Sequence, residues 1–391
     1  MVQNPKETEK VLEDLKNQNV DGFVNFIVGI WTGAPVLIAQ SGLPTILIDD
    51  LYAGTGELLL SLNRVKKREG VKVIGIASSN FDDAIKAIKL FNVVKGMKET
   101  VILDVVEDRK GGVTPLSEEY QARVQEIFGT KIIMMNSKEL NVYYDKVNDK
   151  EAIQWAEKWQ KDALKIIEPS REDIIKSAKI YLALKHAMEE KGAQAVTMDC
   201  LTLVYGKKVP AYPCLSHFQM NNDGSTGVCE SDLDSTITQL MVRYLNGKPG
   251  FVSDPVIDTA TNQIIYAHCV ATNKVFGPSG AVNPYIIRSH AEDGEGASIQ
   301  SILPLGEIIT TAKVSIKEKA LAISQGKTVA NIEEDKGCRT KLAAETNVRN
   351  IFRNWNKKYD FGWHRVTFYG DIKEELAQLG DLFGLNVFEE D

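Results

Sequence analysis

Two carboxylates and two imidazoles stand at the ends of apolar segments, where side chains of different elements can meet. Glu230 closes the run Thr-Gly-Val-Cys-Glu, and Asp254 follows a strand-like stretch in Ser-Asp-Pro. His268 ends the stretch Ile-Ile-Tyr-Ala-His, and His364 stands in Gly-Trp-His-Arg-Val. Asp254 comes 24 residues after Glu230, His268 a further 14, and His364 a further 96. A mixed oxygen and nitrogen donor set of this kind suits Mn²⁺ first, and also Mg²⁺, Co²⁺ or Zn²⁺. The spacing is no short-range motif, and each residue has an ordinary alternative. Glu230 reads also as an acid at a helix start, favoured by the macrodipole. Asp254 reads as the turn former of an Asp-Pro step, and the two histidines as hydrogen-bonded core residues.

Residues so far apart converge only if successive elements deliver them to one place. Residues 5–18 have helical spacing, with Val11, Leu12 and Leu15 on one face. Apolar strands then alternate with helical stretches: DGFVNFIVGIW, GAPVLIAQSG, LPTILIDD, AGTGELLLSLN and VKVIGIAS. That alternation is the signature of a parallel α/β layer. A second set follows, with an acid-opened helix in FDDAIKAIKLFNVVKGM, a strand in ETVILDVV, a Gly-closed helix in SEEYQARVQEIFG and a strand in TKIIMMN. Two long charged helices are expected at roughly 148–166 and 169–191, then a strand in AQAVTMDC. The stretch from Tyr205 to Glu230, rich in Gly, Pro, Asn and Asp, reads as one long loop of the functional kind. SDLDSTITQLMVRYLNG reads as a helix with a Gly C-cap.

From about residue 246 short β-rich runs crowd together, as in an antiparallel barrel or sandwich. Helices are expected in AAETNVRNIFRNWN and DIKEELAQLGDLFG. The expected fold class is therefore α/β: two parallel-sheet, Rossmann-like domains followed by a β-rich, barrel-like C-terminal domain. The divisions fall at residues 1–78, 79–245 and 246–391, with the Glu230 loop in the second domain and the terminal helices in the third.

The bulk numbers narrow the partners. With 391 residues, 43% hydrophobic and 25% charged, the chain has the make-up of a multi-domain globular protein. A net charge of −7 without a Lys/Arg block argues against nucleic acid or an acidic membrane surface as partner. The cysteines number five, an odd count without a CxxC, which fits free thiols in a reducing cytoplasm. The opening MVQNPKETEK has no apolar core of a signal peptide, and no apolar run reaches membrane-spanning length. A cytoplasmic location is the expectation.

The segments YPCLSHFQMNNDGSTGVCESDLDSTITQLMVRYLNGKPGFVSDPVID, IIRSHAEDGEGASIQSILPLGEIITTAKVS, CRTKLAAE and HRVTFYGDIKEELAQLGDLFGLNV resemble the L-fucose isomerase and L-arabinose isomerase superfamily, the fucose branch more closely. The likeness runs from about residue 20 to the end and is densest from 196 onward. It implies that Glu230, Asp254 and His364 bind the metal, as in the fucose branch, and that His268 matches an extra ligand of the arabinose branch. It further implies an aldose–ketose isomerase acting on an open-chain pentose or hexose through a cis-enediol, with Glu230 and Asp254 as ligands and proton-transfer groups. The chain is shorter than the better-known members. The shortened first domain motivates one alternative, a sugar- or metal-binding homologue without turnover; an isomerase for an acid-substituted sugar is a third reading.

The resemblance also implies a homo-oligomer, a trimer or hexamer, whose sites are completed by neighbouring subunits. Trp31 is the candidate aromatic reaching such a neighbour, with a core or interface role as its alternative. Gln219 and Asn222 lie in the amide-rich loop and are candidates for sugar hydroxyls. His290, in Arg-Ser-His-Ala-Glu-Asp-Gly, is another candidate sugar contact, and Trp363, beside His364, would wall the pocket.

Overall fold

A computed structural model describes residues 1–68, 70–107 and 117–391. The chain divides into two compact units: one of Met1–Lys98 with Lys319–Leu321 and Ile372–Phe388, the other of Glu99–Glu318, Ala322–Asp371 and Glu389–Asp391. The helix Phe81–Glu99 thus falls almost wholly in the first unit, and so does the C-terminal helix Lys373–Phe383.

The first unit is a small parallel α/β layer. Strands Phe23–Ile27, Thr45–Asp49 and Val73–Ile76 pair in chain order, all parallel. Helices Ala34–Ala39 and Thr55–Val65 make the crossovers that parallel pairing requires. Ile27, Leu47, Leu58, Val65 and Val73 form the core between sheet and helices. Gly54 is needed where the second crossover begins, because a Cβ there would lie 2.1 Å from the Ile27 carbonyl oxygen. After the first strand, the backbone N–H groups of Trp31 and Gly33 donate to Glu57 at 2.7 and 2.9 Å. They hold Trp31 at φ 65° with its ring 76% exposed.

The second unit begins with a four-stranded parallel sheet in the order Lys131–Met135, Val101–Val105, Ala195–Met198, Thr226–Cys229. Its strands are nearly continuous apolar runs, as expected of strands covered on both faces. Helices Asp149–Asp162 and Arg171–Lys191 bury Trp159 and Tyr181 in the core they share with Val196, Met198 and Val228. Asn148 and Ser170 cap their N-termini.

Six antiparallel strands then close into a barrel, in the order Ile308–Ser315, Arg365–Tyr369, Phe251–Asp258, Gln263–His268, Thr340–Glu345 and Ala320–Asn331, the last pairing back onto the first. The mixed α/β architecture with parallel sheets and a C-terminal barrel is the one expected. Two local expectations are corrected. The stretch 205–230 is not one loop: it holds the buried helix Cys214–Asn222 and the strand Thr226–Cys229, and the helix Cys200–Tyr205 ends at its start. Asn221 and Asn222 serve as buried hydrogen-bonding groups, while Asp223 is exposed in the turn that closes the helix. The helix expected from Ala343 onward is only Val348–Asn354, since Thr340–Glu345 is a barrel strand. Among the described residues no helix is long and apolar enough to cross a membrane.

Candidate functional site

Glu230 and Ser231 lie just past the C-terminal end of the edge strand Thr226–Cys229, where parallel sheets present ligand sites. Both take left-handed backbone angles, φ 62° and 53°. Each costs about 1–2 kcal/mol in a residue that carries a Cβ. Local bonds hold the conformation. The Ser231 N–H donates to the Met198 carbonyl at 3.0 Å, and its hydroxyl donates to Asp104. Asp232 then caps the helix Leu233–Asn246, accepting from the Ser235 N–H at 2.9 Å. This abrupt strand–turn–helix lifts the Glu230 side chain off the sheet.

The other three residues come from neighbouring barrel strands, and register explains their meeting. Asp254 pairs with Ala267 on one side, so His268 is the next residue along. Ser253 pairs with Arg365 on the other, so His364 comes opposite Asp254. The carboxylate of Asp254 thus lies between the two histidines, and Glu230 approaches from the parallel sheet.

The distances are short. His364 Nε2 is 3.1 Å from Asp254 Oδ1 and 3.5 Å from Glu230 Oε2. His268 Nε2 is 3.5 Å from Glu230 Oε1. Ligand atoms of Glu230, His268 and His364 all fall within 4.8 Å of one another. Asp254 Oδ1 and His268 Nε2 are buried and, among the described residues, make no aligned hydrogen bond. Two carboxylates and two imidazoles fit a divalent cation there.

His364 is oriented as metal-bound histidines are. Its Nδ1 lies 2.9 Å from Asp232 Oδ2, and Asp232 is ion-paired with the buried Lys313 and hydrogen-bonded by the Ser235 hydroxyl. His268 is held differently: its Nδ1 lies 2.9 Å from the backbone nitrogen of Cys269.

Burial pushes the Glu230 carboxyl up, but the His268 ring beside it and the charge of His364 outweigh burial and hold it below the usual range. Burial likewise opposes ionisation of Asp254, and His364 and His268 again prevail. The imidazoles respond in kind. Burial alone would lower both, yet Glu230 and Asp254 raise His268 to about 9, and Asp232 and Asp254 raise His364 to about 10. Asp232 lies well below its ordinary value, because Lys313 and His364 overcome its desolvation. The cluster is therefore a tightly paired set of ionised groups.

Glu230, Asp232 and His364 open on a cavity of about 510 Å³ whose apolar walls are Tyr120, Phe361 and Trp363. Trp363 is 59% exposed and its ring N–H donates to the Pro255 carbonyl at 3.2 Å. The other candidates lie elsewhere. Gln219 accepts from Trp159 Nε1 at 2.9 Å, and Asn222 accepts from the Asn273 N–H at 3.2 Å. Both line a separate cavity with Trp155, Asn273 and Tyr285. His290 stacks on Tyr212 at 4.2 Å, beside Asp293. Trp31 belongs to the first unit.

Sequence reasoning missed Asp232, Lys313 and Tyr120. Lys313 did leave a signal: a lysine inside the apolar strand Ile308–Ser315 must find a buried partner.

No family model matches the chain. It is similar to the sulfoquinovose isomerases of Priestia aryabhattai and Priestia megaterium (strain ATCC 12872 / QMB1551), each 24% identical over 307 residues, 77% of this chain and 67% of the relative. It is also similar to the sulfoquinovose isomerase of Clostridium sp. (strain MSTE9), 25% identical over 218 residues, 53% of this chain and 46% of the relative. The chain thus spans about two thirds of the Priestia relatives' length and under half of the Clostridium relative's. These distant relatives are sugar isomerases.

Proposed function

We propose that the chain is an aldose–ketose isomerase for an acid-substituted hexose, dependent on a divalent cation held by Glu230, Asp254, His268 and His364. The observation that carries this reading is the meeting of Glu230, His268 and His364 within 4.8 Å of one another, with Asp254 3.1 Å from His364, where Glu230 and His364 open on a cavity. The relatives' name denotes a hexose bearing a sulfonate, which supports an acid-substituted sugar over the neutral pentose or hexose that the resemblance alone implies.

The reaction shifts one proton from C2 to C1 and another from O2 to O1, through a cis-enediol. A bound divalent cation supplies Lewis-acid stabilisation of the charge that develops on O1 and O2. Glu230, held ionised by its imidazole neighbours, accepts the C2 proton, exchanges it with solvent, and delivers a proton to C1 on the same face. Asp254 relays the hydroxyl proton between the two oxygens. Lys313 and Asp232 keep His364 in place, and Tyr120, Phe361 and Trp363 shield the enediol from water. Mn²⁺ is the first candidate cation, with Mg²⁺, Co²⁺ and Zn²⁺ after it. A homo-oligomer, trimeric or hexameric, belongs to the same reading. The outward ring of Trp31, fixed through Glu57, supports its role as a contact to a neighbouring subunit's sugar.

Chelated protein, reloaded with Mn²⁺, is to be incubated in D₂O with neutral aldoses and with 6-deoxy-6-sulfoglucose. Ketose formation with deuterium at C1 is the expected result, strongest on the sulfonated sugar and abolished by Glu230→Gln. Absence of ketose from every aldose by the loaded protein sinks the proposal, and turnover by the Glu230→Gln variant sinks the role given to that residue.

A further inference from the structure

The cavity that opens on Glu230 and His364 carries two cations that the proton transfer does not use. Arg123 and Lys317 line it, together with the hydroxyl residues Ser117 and Ser315. Arg123 projects from the helix Glu118–Phe128, and Lys317 lies just beyond the barrel strand Ile308–Ser315.

We propose that Arg123 and Lys317, with Ser117 and Ser315, form the subsite for the acidic substituent of the sugar. The assignment rests on the isomerase reading above and deepens it by naming what tells an acidic sugar from a neutral one.

Arg123 is held at two corners. Its Nη1 donates to the Lys317 carbonyl at 2.8 Å, and its Nη2 pairs with Glu119 Oε1 at 2.7 Å. The first contact ties the helix to the segment after the strand and orients the guanidinium plane. A planar fork of this kind matches a pair of sulfonate or carboxylate oxygens. The Glu119 contact is a surface pair one helical turn long, with the carboxylate 73% exposed. Pairs of that kind contribute little, so an incoming anion can displace Glu119 into solvent. Lys317 is loosely engaged: its Nζ lies 3.7 Å from Glu318 and 4.0 Å from Asp360. Its ammonium is free to swing onto a ligand.

Of the other acids that line the cavity, Asp232 is ion-paired with Lys313, Asp234 is half-buried and accepts the Tyr120 hydroxyl at 2.6 Å, and Asp360 is 63% exposed with Lys317 Nζ 4.0 Å away. Glu230 belongs with the cation. Ser117 caps the helix by accepting the Tyr120 N–H at 3.0 Å, which leaves its own hydroxyl proton for a ligand oxygen. The same cavity thus offers one set of groups to the reacting carbons and another to the anion.

The test compares 6-deoxy-6-sulfoglucose with glucose, in the wild type and in the Arg123→Met and Arg123→Met/Lys317→Met variants. The ratio of kcat/KM for the sulfonated sugar to that for the neutral one cancels any general damage to the fold. It is expected to fall ~10- to 100-fold in the double variant, as for loss of a charged hydrogen bond, through KM rather than kcat. Arg123→Lys should restore part of it. An unchanged ratio overturns the assignment. Should the wild type isomerise neither sugar, the function proposed above fails, and the subsite is judged by binding alone. Equilibrium dialysis of the sulfonated hexitol, which lacks the aldehyde, then decides: binding to the wild type that is lost in the double variant upholds the subsite, and equal binding or none rejects it.

Discussion

His364 Nδ1 lies 2.9 Å from Asp232 Oδ2, while the opposite ring nitrogen lies 3.1 Å from Asp254 Oδ1. The ring is thus clamped in one orientation by a carboxylate that is itself held by Lys313 and Ser235. Removing an outer carboxylate of this kind usually weakens a metal site by 10- to 100-fold. Asp232→Asn should therefore lower Mn²⁺ affinity by about that factor, measured by titration followed by electron paramagnetic resonance. An affinity equal to the wild type's would separate Asp232 from the metal site.

Cation binding should release protons. In the cation-free protein His268 titrates at about 9 and His364 at about 10, so both are imidazolium at neutral pH. Each must lose a proton before its Nε2 can act as a donor. Affinity is expected to rise with pH up to about 9–10, with about two protons released near pH 7. Calorimetry in two buffers of different ionisation enthalpy counts them. The same shifts set a stability window for the cation-free protein. Because both folded values are raised, this stabilisation is complete below the unfolded value of 6.5 and is lost as pH rises through 9–10.

His217 behaves in the opposite sense. It is fully buried on the helix Cys214–Asn222, neither ring nitrogen has a hydrogen-bond partner among the described residues, and burial lowers its value to about 3. The folded state keeps the ring neutral while the unfolded chain binds a proton below 6.5. Stability from this group is present above 6.5 and lost as pH falls from there towards 3. Denaturant unfolding should show a loss of the order of a few kcal/mol between pH 6.5 and 4, and His217→Gln should flatten that slope. An equally steep slope in the variant would assign the acid lability to other groups.

Much of the fold was legible because burial writes itself into short apolar runs. The parallel strands Thr45–Asp49 and Val101–Val105 are such runs, and the charged helix Arg171–Lys191 declares its ends through Ser170 and Gly192. Glu230 and His268 stood out because each ends an apolar stretch, whereas Asp254 lies within the strand Phe251–Asp258 and His364 just ahead of Arg365–Tyr369. Their meeting depends on strand register, which couples residues such as Ser253 and Arg365 across 112 positions. No local pattern carries that information. Asp232 was hidden for the same reason. Gln219 and Asn222 misled because amides make turns and also satisfy buried partners; composition does not separate the two roles, whereas the neighbours Trp159 and Asn273 do.

The left-handed pair Glu230–Ser231 has a cost that glycine would not incur. Glycine at position 230 would relieve that cost but would take from the buried His268 and His364 a carboxylate that lies 3.5 Å from each. Selection for heat resistance therefore finds no simple gain at this codon, because the strained backbone and the charges that offset it come with the same side chain.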